Sequence, residues 1–293
     1  MKKKITIDPS LPLLRNGKPH VSYSEVSTWA GCGYRHDLLY IPASDEEIIS
    51  PYLDYGSIVH DGGESFLNTR IIDIPAVHEK IKEAWKKRGF DDKKWVKEQT
   101  ARARAQGWKY KHVKLQGWLD SATNALTQLP AFMEETFPGW KTVEAEHMLY
   151  TDVIKTTGYF KGYIDCVIEL PNGKHVIIDW KTAGRYGWQR RKKEDFLTLA
   201  QVILYKHFWM RHTGKKSRDV KTAYVLLHRE AKPGKSVSMV TVSSGPKVMA
   251  KAEKMVVNML KNMEAKFTLK NRYSCKFCEF ANTEHCEGYV QLF

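Results

Sequence analysis

Two short segments carry the residues best suited to chemistry. One is Gly162-Tyr-Ile-Asp165-Cys-Val-Ile-Glu169. The other, after Leu170-Pro-Asn-Gly-Lys174, is Val176-Ile-Ile-Asp179-Trp-Lys181. Both read as β-strands, in which side chains alternate between faces. Ile164, Cys166 and Ile168 are therefore expected on one apolar face, with Asp165 on the other. Asp179 and Lys181 share a face. A two-residue Asn-Gly turn would set Asp165 opposite Trp180, whereas a three-residue Pro-Asn-Gly turn sets it opposite Asp179. Proline suits the first position of a type I turn and glycine the left-handed residue that closes a three-residue hairpin, so the longer turn is predicted. Adjacent carboxylates repel unless a cation lies between them, and hard divalent ions take one or two carboxylates together with phosphate oxygens. Such a site suits in-line phosphoryl chemistry. Lys181 could position or deprotonate the attacking water, or neutralise developing charge. Taken alone, Asp-x-Lys is a weak signal, and a surface salt-bridge patch is its ordinary reading.

Other residues add to it. His60, in Gly56-Ser-Ile-Val-His60, falls on a predicted helix as a candidate metal ligand, although a lone histidine there is more often structural. Gln201 and Tyr205 are four apart on a predicted helix and share one face. Glu146 lies on an alternating strand, where Glu144 shares its face and could take its place. Five cysteines, an odd number, argue against a disulfide framework and toward a metal site: Cys275 and Cys278 form C-x2-C, Cys286 follows, and Cys32 lies far upstream. Zinc would accept four cysteines, or three with His285. Cys166, on an apolar face, reads as a buried small hydrophobe.

The elements that must position these groups follow from pattern. Residues 1–20 read as an irregular lead-in. A helix is predicted after Ser22-Tyr-Ser24, running to about Tyr40, another from Asp54 to Thr69, and helical structure from Ala76 to Gln128, broken near Gly89 and Gly107. Strands follow at 142–150, 159–170 and 174–181. A helix at Phe196–Met210, a strand at Thr222–His228, a hairpin to Val242 and a helix at Pro246–Met263 complete the order. Helices, a strand meander, then helix and strand point to an α/β fold with a mixed sheet and flanking helices.

The chain has 293 residues and a formal net charge of +14. Between Lys80 and Lys114 thirteen Lys/Arg face four Asp/Glu, interleaved with Trp85, Trp95, Trp108 and Tyr110. Cations on phosphates and rings on bases suit nucleic acid. The competing reading is a solvated basic helix with its tryptophans in the core. Neither an apolar run of membrane-spanning length nor a signal-peptide core is present, so a cytoplasmic location is expected.

The ordered set Gly56-x-x-x-His60, Glu146, Gly162-x-x-Asp165, Asp179-x-Lys181 and Gln201-x-x-x-Tyr205 resembles the RecB-like branch of the PD-(D/E)XK nucleases, from about Val21 to Gly288. The resemblance implies a restriction-endonuclease-like core and metal-dependent DNA hydrolysis from an end. It implies Mg²⁺ or Mn²⁺ held by His60, Asp165, Asp179 and the Trp180 carbonyl, with Lys181 as the catalytic lysine. Glu146 would serve the site, and Gln201 and Tyr205 would support the lysine and contact DNA. One upstream and three downstream cysteines resemble the iron–sulfur subgroup, which includes CRISPR-associated and phage-type members. That implies a structural [4Fe–4S] cluster on Cys32, Cys275, Cys278 and Cys286.

The organisation expected is one nuclease unit over 1–293. It comprises a basic helical insertion at 70–130, a core at 131–245 and an iron–sulfur segment at 21–45 and 264–293. Lys86, Lys87, Arg88, Arg102 and Arg104 are the expected DNA contacts in the insertion. The partner implied is single-stranded or end-bearing DNA in a prokaryotic or phage-infected cell, with recombination or CRISPR proteins and self-association compatible. No Walker A sequence is present, so ATP-driven unwinding would need a partner. The rival from another class is a DNA-end-binding subunit with little cleavage of its own.

Overall fold

The structure, a computed structural model, describes residues 7–41, 51–105 and 114–287. Among these a six-stranded mixed sheet is built from β1 (His20–Ser22), β2 (Lys141–Asp152), β3 (Tyr159–Glu169), β4 (His175–Ala183), β5 (Val220–His228) and β6 (Val237–Val242). The helices are α1 (Tyr23–Gly31), α2 (Gly33–Tyr40), α3 (Pro51–Thr69), α4 (Ile74–Arg88), α5 (Lys93–Ala105), α6 (Leu115–Thr136), α7 (Arg190–Glu194), α8 (Phe196–Thr213) and α9 (Pro246–Glu264). No helix among the described residues is long and apolar enough to cross a membrane.

The sheet is covered on both faces. One core cluster joins Val167, Ile177 and Tyr224 to Val202 and Phe208 of α8 and to Val256 and Met259 of α9. The other joins Cys166, Ile178, Trp180 and Val225 to α3, α4 and α6 through Val59, Ile81, Leu126 and Leu129. β4 and β5 are parallel, and α8 makes the crossover between them; such a connection must lie on a sheet face. The 70–130 segment is no mere appendage, because α6 lies on β5 and β6.

Trp85 is buried, edge-on to Phe90 and Trp118, and Trp95 packs against the same cluster. These two rings therefore belong to the core and are not offered to bases, as the competing reading held. Trp108, Tyr110 and the break near Gly107 lie outside the described residues.

Two further departures have identifiable causes. The single helix expected after Ser24, running to about Tyr40, is two and begins at Tyr23. Cys32 takes an extended conformation (φ −165°, ψ 114°) between α1 and α2. The C-terminal segment docks at that break: Asn271 and Ser274 donate to the Gly31 carbonyl at 2.8 and 2.7 Å. The alternation expected along β3 also fails. Ile164 lies in the cluster under α8, while Cys166 and Ile168 lie in the opposite one. The β2–β3 ladder skips Glu146 and Asp165, and Glu146 has φ 50°, so the alternation resets at that point.

Candidate active site

The hairpin that brings the carboxylates together forms as its turn chemistry dictates. Leu170 N–H donates to the Lys174 carbonyl at 2.9 Å, Gly173 N–H to the Leu170 carbonyl at 2.8 Å, and Gly173 is left-handed (φ 74°). The ladder pairs Glu169 with His175 and ends at Cys166 with Ile178, one residue short of Asp165 and Asp179, which are close enough for the Asp179 charge to act on Asp165.

There the sheet forks. β2 runs along one edge of β3 for its whole length, so β1 and β4 share the other edge. β1 takes Tyr159–Lys161 and β4 takes Cys166–Glu169, leaving Gly162–Asp165 without a strand neighbour on that side. Side chains satisfy the freed backbone. Asp165 Oδ2 accepts the Trp180 N–H at 2.7 Å. The Tyr205 hydroxyl accepts from the Gln201 amide at 3.0 Å and lies close to the Tyr163 backbone. Gly162 admits Tyr205 to the gap, since a Cβ there would lie 2.7 Å from its ring.

The polar groups at the fork are buried but unequal. Asp179 is 1% exposed, Asp165 8%. Lys181 Nζ lies 2.7 Å from Asp179 Oδ2, and His60 Nδ1 lies 3.5 Å from Asp165 Oδ2. Burial raises the Asp165 carboxyl well above its usual range; Asp179 and Glu146 add to the rise and Lys181 opposes it. Burial raises Asp179 too, against the pull of Lys181. Burial works to lower the Lys181 ammonium, but the two aspartates outweigh it and the net shift is upward. Burial, then the Lys181 charge, lowers His60 to about 4, so it is a neutral imidazole at pH 7. The Trp180 backbone, close to the ring, works the other way.

The donor set fits a hard divalent cation in part. A neutral imidazole and two mutually repelling carboxylates are suitable ligands, and Mg²⁺ often takes only one or two carboxylates from the protein. A finished cage is not present: among the described residues no three His, Cys, Asp or Glu side chains converge into a metal-holding group. The ion pair with Lys181 accounts for part of this, because it engages the Asp179 oxygen that a cation would use. Of the two glutamates, Glu146 is the one that acts on Asp165, while Glu144 lies 3.5 Å from His147.

Cys32, Cys275, Cys278 and Cys286 line one small cavity with Arg35, Lys270 and Arg272 nearby. The Asn271 N–H donates to Cys32 Sγ at 3.4 Å. Polar links already join the two ends of the chain here: Arg35 to Glu279 at 2.9 Å, Tyr34 to the His285 carbonyl at 3.0 Å, and Thr268 to Asp37. Cys166 is fully buried, away from this cavity.

The expected DNA contacts fare unevenly. Lys86, Lys87 and Arg104 are exposed. Arg88 is half-buried and ion-pairs with Asp54 at 3.2 Å. The side chain of Arg102 lies outside the described set. A basic run nearer Lys181 in sequence, Arg190-Arg191-Lys192-Lys193, is a further candidate, marked by four adjacent cations soon after Asp179-x-Lys181.

No curated protein sequence matches the chain. By structure it is similar to a protein from Eubacterium rectale described as a "Putative exonuclease", with 13% identity and a TM-score of 0.51 over 89% of this chain and 86% of that one. It is more distantly similar to a protein described as SSO0001, with 16% identity and a TM-score of 0.32 over 56% of this chain and 68% of that one. The first likeness speaks to the fold alone. Residues 20–283 match the model of the PD-(D/E)XK nuclease superfamily, a span that takes in the forked sheet and every residue gathered around it, and the chain belongs to that superfamily.

Proposed function

We propose that this nuclease is a metal-dependent exodeoxyribonuclease of the RecB-like branch, hydrolysing phosphodiester bonds from a DNA end. The observation that carries the reading is the fork. It assembles two buried carboxylates, a neutral imidazole and an ammonium from a helix and, some 100 residues later, the two strands of a hairpin. His60, Asp165, Asp179 and the Trp180 carbonyl are the groups that would hold Mg²⁺ or Mn²⁺. The ion supplies Lewis acidity toward the scissile phosphate when bound. Lys181 holds its proton firmly and, released from Asp179, offers it to a phosphate oxygen where negative charge develops. Glu146 adds negative charge on the side of Asp165, and Tyr205 and Gln201 hold the free edge of β3 so that Asp165 keeps its place. The exposed Lys86, Lys87 and Arg104 offer phosphates further along the strand a basic surface.

Action from an end rests on the RecB-like motif order and on the description of the E. rectale protein. The four cysteines are assigned to a structural [4Fe–4S] cluster, supported by their shared cavity, the N–H···S bond to Cys32 and the cations beside them.

The test is degradation of DNA labelled at one end, with Mn²⁺ and with EDTA. Stepwise loss from an end, abolished by EDTA, is expected. DNA bound but uncut in every divalent metal would make the chain an end-binding subunit instead. The cluster predicts a brown protein that Cys278→Ser bleaches; a colourless, zinc-containing protein would remove it.

A further inference from the structure

Strand β4 ends at Ala183, two residues past Lys181, and the segment after it is built in an unusual way. Gly187 is left-handed (φ 68°), and a Cβ there would come within 2.6 Å of the His228 ring. Trp188 is 7% exposed and packs on Tyr224 with ring centroids 4.8 Å apart. Arg185 Nε donates to the Glu230 carbonyl at 2.7 Å, and His228 Nδ1 lies 3.2 Å from the Gly184 carbonyl. The loop is thus pinned from below by a buried indole and from the side by β5.

Its upper surface is a concentration of like charge. Arg185, Arg190, Arg191, Lys192 and Lys193 are all exposed, with no acidic residue among them before Glu194. Arg190 pairs with Glu194 at 2.8 Å, both well exposed, and such a pair is readily given up. Lys192 lies over the Trp188 ring at 4.8 Å and close enough to Lys181 to feel its charge. Arg190, Arg191 and Lys192 border an open groove of about 890 Å³ that begins at Thr182, next to Lys181, and has Arg229 on its lining. Tyr186 stands at the loop 90% exposed, so its ring has almost no packing role. A rigid platform with crowded cations is complementary to a polyanion. A bare aromatic ring beside it can stack only on a base that is not already stacked in a duplex.

We propose that the Arg185–Lys193 platform holds the single strand that is presented to Lys181, with Arg190, Arg191 and Lys192 on its phosphates and Tyr186 under one of its bases. The proposal rests on the nuclease reading and names the part of the surface that recognises the strand. It predicts that the substrate is gripped next to the reacting phosphate, and as a single strand.

The test is fluorescence anisotropy of a labelled oligodeoxythymidine and of a blunt duplex, in EDTA so that nothing is cut. The variants are Arg190→Ala/Arg191→Ala/Lys192→Ala and Tyr186→Ala. The control removes as many charges from α9, with Lys247, Lys254 and Lys261 changed to Ala. At single-strand values near 0.7 per phosphate, the triple platform variant should lower the salt slope by about 2 and weaken binding roughly tenfold or more at ~0.1 M salt. Its KM in Mn²⁺ should rise with kcat little changed, and its thermal midpoint should match wild type because the side chains are exposed. Tyr186→Ala should weaken single-strand binding and leave the duplex as it was. Platform variants that bind like the α9 control overturn the proposal, and equal weakening on duplex by Tyr186→Ala overturns the stacking contact. A wild type that binds the strand in EDTA yet cuts nothing in Mn²⁺ sinks the nuclease reading, while the same titrations still decide where the strand lies.

Discussion

Asp165→Asn separates what the fork costs the fold from what it does for the reaction. In the fold the Asp165 carboxyl is raised by burial, by Asp179 and by Glu146, with Lys181 and the Trp180 N–H opposing. The unfolded carboxyl loses its proton near pH 3.9, whereas the folded one keeps it to higher pH. Between those two values the folded state binds more protons, so stability falls as pH rises through that window. Once the folded carboxyl has lost its proton, the metal-free protein carries a buried charge that Lys181 and the Trp180 N–H offset only in part, a penalty on the order of 1–3 kcal/mol. Asparagine removes the charge and keeps an oxygen for the Trp180 N–H now bonded at 2.7 Å. At roughly 2–4 °C per kcal/mol for a chain of this size, the variant should melt some degrees above wild type in EDTA at pH 8. The gap should close as pH falls toward the unfolded carboxyl value. Mn²⁺ at about 100 times its Kd should add about 2.7 kcal/mol to wild type and nothing comparable to the variant, which should also have lost cleavage. Thermal unfolding with and without EDTA, beside a cleavage assay, reads all of this. An Asn variant that melts below wild type in EDTA at pH 8 would refute the reasoning, because Lys181 would then be neutralising the pair completely.

Three other perturbations bear on the same arrangement. Lys181→Met leaves the Asp179 carboxylate without the ammonium 2.7 Å away; since Lys181 is one-third exposed, a loss on the order of 1–2 kcal/mol is expected, with turnover down at least ~100-fold and metal binding retained by calorimetry. Gly162→Ala places a Cβ 2.7 Å from the Tyr205 ring, which should cost about 1–3 kcal/mol in a urea titration and lower kcat; unchanged stability would mean that the ring slides aside freely. His60 stays neutral in the fold down to about pH 4, while an unfolded histidine takes a proton near 6.5. The unfolded state thus binds more protons in that window, so metal-free stability should fall by about 3 kcal/mol as pH drops through it, and His60→Gln should flatten the fall.

Much of the site was legible because the determinants are local. Pro171-Asn172-Gly173 specifies its turn, the turn specifies the register, and the register brings Asp165 and Asp179 to the same end of the ladder, just past the Cys166–Ile178 pair. Helical spacing likewise puts Gln201 and Tyr205 together. The failures lie where partners distant in sequence decide. Nothing within β3 announces that β2 is irregular at Glu146, so the switch of face between Ile164 and Cys166 could not be read from alternation. Cys32 breaks its helix because a segment some 240 residues later binds the Gly31 carbonyl. Three residues of β1 are too few to carry a periodic signal, yet their pairing with Tyr159–Lys161 is half of what makes the fork. Trp85 was ambiguous because a basic helix with a buried aromatic stripe and a nucleic-acid surface have the same composition.

The fork also explains why the conspicuous residues come as a set. A strand shared end to end by two neighbours must leave unpaired backbone where they part, and buried unpaired N–H groups cost about 1–3 kcal/mol each. Here the Trp180 N–H is met by the Asp165 carboxylate, and the Tyr205 hydroxyl is brought close to the Tyr163 backbone. The Tyr205 ring reaches that place only because residue 162 has no side chain, and Gln201 fixes its hydroxyl. Gly162, Asp165, Gln201 and Tyr205 are thus four parts of one solution to a backbone problem. The same solution directs a carboxylate toward Asp179 and His60. Asp165 carries both duties at once, so its structural role and its proposed catalytic role cannot be separated by removing the side chain; only a substitution that keeps the acceptor and discards the charge can do that.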